Sequence, residues 1–186
     1  MSRLVNKVKK KIREPLGHFF LSLTNIIWGN SKVANFYIRP FVLSLAGVKI
    51  GSNCVIMKID INGVFSNLRI GKNTWINRNV LIECHGNVSI GNHVGIGPNF
   101  TVISSTHDIG HNYSRCGEEI LYQSVAIGDG VWIGANCFVG PNTTIEDGCV
   151  LSSGSILQKS IPKNSIVAGN PARIISHIDG EIIKID

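Results

Sequence analysis

From residue 50 onward one pattern governs the chain: an aliphatic residue returns every six positions. It occupies 50, 56, 70, 76, 82, 90, 96 and 102, then 127, 133, 139, 145, 151 and 157. The next position is often glycine or acidic, as at Gly51, Gly71, Glu83, Gly91, Gly97, Gly128, Gly134, Gly140 and Glu146. Four after the aliphatic stands a small or β-branched residue, among them Cys54, Thr74, Val94, Val131, Cys137, Cys149 and Ser155. A period of six fits neither a helix at about 3.6 residues per turn nor an alternating strand. Repetition this persistent marks a solenoid, whose units bury their apolar faces only by stacking.

The pattern reads as a triangular prism. Each hexad gives one short strand and a turn, so three hexads make a coil. Aliphatic side chains point inward and stack on their equivalents one coil away. The small residue fills an inward slot near a corner, which accounts for Cys54, Cys137 and Cys149. Glycine serves corners where a positive φ or close backbone approach penalises a Cβ. Composition agrees: 44% hydrophobic but only 7% aromatic residues suit a core of small uniform layers. The 20 glycines, without a collagen period, indicate turns rather than disorder.

Spacing predicts which hexads stack. Ile127 and Ile145 are 18 residues apart, one regular coil. Ile50, Ile70 and Ile90 are separated by 20, a coil plus a two-residue bulge. Ile90 to Ile127 spans 37, a coil with 19 residues to spare. The excess predicts a loop ejected at about 108–126, carrying His111, Arg115, Glu118, Glu119 and Tyr122. Loops of that length in compact domains are usually functional or disordered.

Residues 1–49 leave the repeat. Leu4, Val5, Val8 and Ile12 have roughly helical spacing with lysines opposite, so a helical cap over the open end of the prism is expected. An uncapped solenoid would expose its core and strand edges. A basic amphipathic helix also suits an acidic membrane surface, which makes residues 1–28 a candidate peripheral contact. His18, Ser22, Thr24 and Asn25 interrupt the apolar stretch Pro15–Trp28, so neither a cleaved signal nor a membrane span is expected. The prism is expected over 50–175 and a short closing element over 176–186.

The formal charge of +6 favours anionic partners without choosing among them. No aromatic-interleaved basic motif points to nucleic acid. Five cysteines, an odd number without CxxC spacing, read as free thiols in a reducing cytosol rather than a zinc site or disulfide framework. A cytoplasmic location is the expectation, with contact at the inner face of the membrane as the alternative role of the N-terminal segment.

The hexads, the ejected loop and the C-terminal run together resemble the hexapeptide-repeat acyltransferases, an all-β family with a left-handed parallel β-helix. The likeness covers about residues 45–175. It rests on Asn73-Thr74-Trp75-Ile76-Asn77-Arg78-Asn79, Ser104-Ser105-Thr106-His107-Asp108, Val131-Trp132-Ile133-Gly134 and Ala168-Gly169-Asn170-Pro171-Ala172-Arg173. It extends to galactoside, maltose and nodulation-factor O-acetyltransferases and to polysaccharide-synthesis relatives.

The resemblance implies an acetyl-CoA donor, a sugar or glycan acceptor, no metal, and a homotrimer with each site between two prisms. It makes His107 the general base, a task histidine suits near neutral pH. Asn77 matches an acceptor-binding asparagine. His85 stands where the galactoside enzymes carry an acid, which leaves acceptor identity open. Trp132 would wall the site, the backbone N–H near Ala135 would hold the oxyanion, and Ser153 would line the pantetheine groove. Lys159 and Arg173 match positions near the cofactor. Blander readings stand beside these: Asn77 as a corner residue at positive φ, Trp132 as subunit packing, Lys159 and Arg173 as solvated charges. The basic N-terminus favours a nucleotide-linked or lipid-linked sugar over a free disaccharide. Serine acetylation, a γ-type carbonic anhydrase built on His85, His93, His107 and His111, and a non-catalytic scaffold are the competing readings.

Overall fold

The computed structural model describes residues 2–29 and 31–178, with side chains from residue 14 onward. The fold is mostly β, a solenoid of about six turns headed by helices. Three parallel sheets form its faces. Strands beginning at Lys49, Leu68, Val88, Val125 and Thr143 make the first face. Those beginning at Val55, Trp75, Gly95, Trp132, Val150 and Ser165 make the second, and those beginning at Ile59, Val80, Thr101, Phe138 and Ile156 the third.

The stacking follows the spacing. Ile50 pairs with Ile70, Ile70 with Ile90, Ile90 with Ile127 and Ile127 with Ile145. The residues beyond Ile90 thus leave and return without changing register. Of the fourteen hexad aliphatics only Ile50, at the capped end, is less than fully buried. The small slots are buried too, and they do more than save space. Cys54 Sγ donates to Gly71 O at 3.0 Å, Thr74 Oγ1 to Gly91 O at 2.9 Å and Ser155 Oγ to Ser152 O at 2.6 Å. Each side chain closes a corner carbonyl that the strands leave over.

The corners divide two duties that the sequence reading had joined in glycine. Positive φ falls mainly to asparagine, at Asn53, Asn73, Asn79, Asn99, Asn136, Asn142 and Asn164. Asparagine tolerates that region because its short amide bonds locally. These amides also stack: Asn79 donates to Asn99 at 3.2 Å, and Asn99 to Asn136 at 2.9 Å. Glycine after the aliphatic serves close approach instead. A Cβ on Gly71 would sit 2.5 Å from the Gly91 backbone.

Two helices cover the open end, α1 (Ser2–Ile27) and α2 (Arg39–Ala46). Leu21, Leu43 and Ala46 join the core beside Phe65. The helices are locked by Arg39, fully buried, whose guanidinium donates to Asn25 Oδ1 at 3.0 Å, to Asn35 Oδ1, and to the Thr24 and Gly29 carbonyls. Asn25 Nδ2 then donates to Ile59 O at 2.8 Å, tying the cap to the first coil. Burial lowers the Arg39 pKa, so neutral acceptors stand in for the water it has lost. Among the described residues no helix is long and apolar enough to cross a membrane. The expected closing element at 176–186 lies outside the described residues from position 179 on.

Candidate active site

At the edge between the third and first faces the coil opens. The excess residues form an antiparallel hairpin, Ser105–Ile109 against Cys116–Tyr122. Pairing satisfies most of the backbone of a segment that would otherwise stand bare in water. The hairpin begins earlier than the sequence reading placed the loop, which had His107 closing a hexad at the corner. Ser104 is the last buried residue of the coil, and the returning Gln123 N–H donates to its carbonyl at 2.7 Å. His107 stands three residues out, exposed on the outgoing strand.

The register slips between His107↔Ile120 and Ile109↔Cys116. Within this irregular stretch the Gly117 carbonyl lies 2.9 Å from His107 Nδ1. A carbonyl only accepts, so Nδ1 carries the proton and the neutral ring keeps its lone pair on Nε2. That tautomer is the one a base acting through Nε2 requires. Glycine is needed at 117: a Cβ there would fall 1.7 Å from Asp108 Oδ1 and 2.7 Å from the Asp108 carbonyl.

Beneath the hairpin, Glu83 anchors the edge. Nearly buried, its carboxylate accepts the His85 N–H at 2.9 Å, the Ser104 N–H at 2.7 Å and the Ser104 hydroxyl at 3.2 Å. Gly86 N–H donates to the same Ser104 Oγ at 3.0 Å. One carboxylate therefore fixes the turn bearing His85 to the point where the His107 strand departs. Sequence reasoning noted Glu83 only as an acidic corner. The signal was an acid in a position where glycine prevails, facing a serine one coil on. His85 places its ring centroid 6.0 Å from that of Tyr122, which pairs with Ser105. The thiol pKa of Cys84, between Glu83 and His85 in sequence, is pushed up to about 12 by burial and by Glu83 and Glu14, so it is no nucleophile at neutral pH. Arg115 donates to Asn112 Oδ1 at 2.7 Å and to Gly110 O at 3.4 Å, closing the hairpin turn.

The remaining expected site residues lie elsewhere on the prism. Asn77, Ala135 and Ser153 occupy the edge between the second and third faces. Asn77 is not among the residues at positive φ, while Asn73 and Asn79 on either side of it are. The corner-residue explanation therefore does not apply to it. Its Oδ1 accepts the Arg78 N–H at 2.8 Å. Ala135 N–H donates to Ser153 Oγ at 3.1 Å, so the donor this corner leaves open is the Ser153 hydroxyl. Trp132 is exposed on the second face, flanked in register by Gly95 and Val150. Lys159 is exposed on the hairpin's own edge, after the strand Ile156–Leu157. Arg173, exposed, sits on the antiparallel end strand Ala172–His177, opposite Ala168.

One chain thus brings together His85, Tyr122 and the His107 hairpin, but not Asn77, Ala135 and Ser153. A whole face separates the two edges. The strand Val80–Cys84 alone, between Asn77 and His85, spans roughly 17 Å at about 3.3 Å per residue. Among the described residues no three His, Cys, Asp or Glu side chains gather at metal-ligand spacing.

Comparison with known proteins gives this geometry a context. Residues 124–159 match the model described as bacterial transferase hexapeptide (six repeats). A galactoside O-acetyltransferase of Escherichia coli K12 is 39% identical over 114 residues, 61% of this chain and 56% of that enzyme. A putative colanic acid biosynthesis acetyltransferase, WcaF, of the same strain is 33% identical over 138 residues, 74% of this chain and 73% of the relative. Among solved structures, a galactoside acetyltransferase in complex with coenzyme A shares a TM-score of 0.78 at 29% identity, over 92% of this chain and 83% of that one. The chain thus spans little more than half of the curated galactoside enzyme.

Proposed function

The chain belongs to the hexapeptide-repeat acetyltransferases, and from that membership we propose that it carries an acetyl group from acetyl-CoA to a hydroxyl of a sugar or glycan acceptor. The reading rests on one observation above all: His107 is held as the Nδ1–H tautomer by Gly117 O, on a hairpin that nothing in the prism requires.

His107 Nε2 takes the acceptor's hydroxyl proton as that oxygen attacks the thioester carbonyl. A tetrahedral oxyanion forms, and the Ser153 hydroxyl at the other edge, polarised by the Ala135 N–H that its oxygen accepts, donates to the charge. Collapse of the intermediate breaks the carbon–sulfur bond. The departing thiolate recovers the proton from the imidazolium, which restores the base. His85 and Asn77 bind acceptor hydroxyls, Trp132 walls the groove, and Lys159 and Arg173 meet the phosphates of the cofactor.

Because base and oxyanion donors stand on unlike edges, the complete site needs two copies. Pairing one edge with a different edge is a head-to-tail contact, which closes as a ring, here a homotrimer. The direct test is thiol release from acetyl-CoA against free, nucleotide-linked and lipid-linked sugars, with O-acetylated product identified. A mixing test checks the sharing. His107→Ala and Asn77→Ala, each nearly inactive alone, should regain activity when co-refolded, since a mixed ring contains an intact pair of edges. No recovery in mixed rings would place both residues in one subunit's site.

A further inference from the structure

The cap is built inside out. Along α1 from residue 14 onward, where its side chains are described, the buried residues are Gly17, Leu21, Thr24 and Asn25, with a single long apolar side chain among them. The exposed large apolar residues there are Leu16, Phe19, Phe20, Leu23, Ile26 and Ile27. Their spacing of three, four and seven makes an unbroken helical stripe. In α2, Phe41 and Leu45 extend it. Between the helices runs an apolar groove of about 360 Å3, lined by Leu16, Phe20, Phe41 and Leu45 over Gly17 and Ala46. Trp28, just past α1, and Tyr37, on the π-helical segment Ala34–Ile38 that runs into α2, are exposed as well.

Charge is just as one-sided. Residues 1–59 hold ten Lys and Arg against one acid, Glu14, whereas residues 60–186 hold eight against eleven. Glu14 is turned to the prism, where its carboxylate accepts the Phe65 N–H at 3.1 Å. Six of the ten cations, from Arg3 to Arg13, precede the apolar stripe on the same helix. The positive balance of the whole chain is therefore the property of one end.

A second copy seated on this face would bring two cationic ends into contact. An anionic bilayer meets both features at once, because its acyl boundary accepts the stripe and its headgroups attract the lysines. Tryptophan and tyrosine are the aromatics that settle at headgroup depth. We infer that the capped end of the prism docks on an anionic phospholipid surface, the stripe of α1 and α2 in the interface and the basic run across the headgroups. On the ring assembly proposed above, three such ends face the same side, and linked weak contacts gain by multiplication. The acceptor class this favours is a sugar held at the membrane.

Vesicle flotation of the full chain tests the inference without acceptor or acetyl-CoA, so a failure of the acetyl-transfer reading leaves it legible. The protein should float with phosphatidylserine–phosphatidylcholine vesicles and on the order of tenfold less with phosphatidylcholine alone. Phe19→Ser with Phe20→Ser, both at exposed positions, should cut partitioning roughly tenfold or more while light scattering shows an unchanged assembly. Lys10→Glu with Lys11→Glu should cut it on the order of a hundredfold and remove most of its salt dependence. The second pair carries the test if the first does not fold. Wild-type protein that stays in solution with both vesicle types overturns the inference. So does undiminished flotation of the variants, or a double-serine variant that splits a larger assembly, which would give the stripe to a second copy.

Discussion

Between Lys49 and Gly169 the prism repeats itself and hides nearly all its hexad aliphatics, whereas the Ser105–Tyr122 hairpin breaks the period and leaves most of its residues exposed. The prism's groups are interchangeable, since an isoleucine in one coil does for its layer what the next does. The hairpin's groups are single. One histidine has one carbonyl partner, at a register slip found once in that ladder. Repetition supplies stability here, and on the function proposed above the departure from it supplies chemistry.

That division can be broken from either side. The largest effect is expected from His107→Ala, which should lower kcat by about a hundred- to ten-thousandfold, the usual worth of a general base. Its thermal midpoint should stay at the wild-type value, because an exposed hairpin residue contributes little to the core. A midpoint that falls with activity would mean the two regions are not separable. Ile133→Ala is the converse. Removing a fully buried layer member should cost about 2–5 kcal/mol by denaturant unfolding, with kcat retained in the molecules still folded. A third substitution, Gly117→Ala, sharpens the comparison. Its methyl group collides with Asp108, displaces the carbonyl that orients His107, and should cost about tenfold in kcat with little change in KM. Loss of KM alone would assign the bulge to binding rather than to the tautomer.

The smallest effect concerns the prism's own surface. Asp129 accepts the Asn92 N–H at 2.7 Å, and Asp147 accepts the Asp129 N–H at 2.9 Å and pairs with Lys163 at 3.2 Å. For Asp129 the bonds from Asn92 hold the carboxyl below its ordinary value, and for Asp147 the bond from Asp129 does the same. A folded-state pKa that is depressed adds stability above the unfolded pKa, and that stability is lost as pH falls through the folded value. The edge between the first and second faces, where both carboxylates sit, should therefore weaken only in acid below the ordinary carboxylate range. Asp129→Asn should flatten that part of the stability profile and leave its neutral region nearly unchanged.

Much of this was legible in the residues. Fourteen aliphatic positions and their intervals gave the faces, the coil pairings and the place where the chain leaves the prism, because a stacked core depends on period and little else. The candidate base His107 stood out as a residue, but its setting did not. The departure point depends on Ser104 being captured by Glu83, a contact one coil away that no local pattern announces. The Gly117 carbonyl is a backbone group at a bulge, invisible to any reading of side chains. Asparagine's general hold on the positive-φ corners was missed, because the residues suggested it only for Asn77, which does not have that conformation, and glycine's two uses were treated as one. In the cap, hydrophobicity alone misjudges which face turns inward. Gly17, Thr24 and Asn25 face the prism because close approach and the Arg39 network decide the fit, and the phenylalanines are left outside.

The preserved pairing of Ile90 with Ile127 carries a consequence for how such a chain can change. The scaffold counts only the residues that remain in its coils, so the segment between Ser104 and Gln123 behaves as a socketed tool. Its length and contents can be exchanged without re-indexing a single layer, and a new acceptor preference would then need no new architecture.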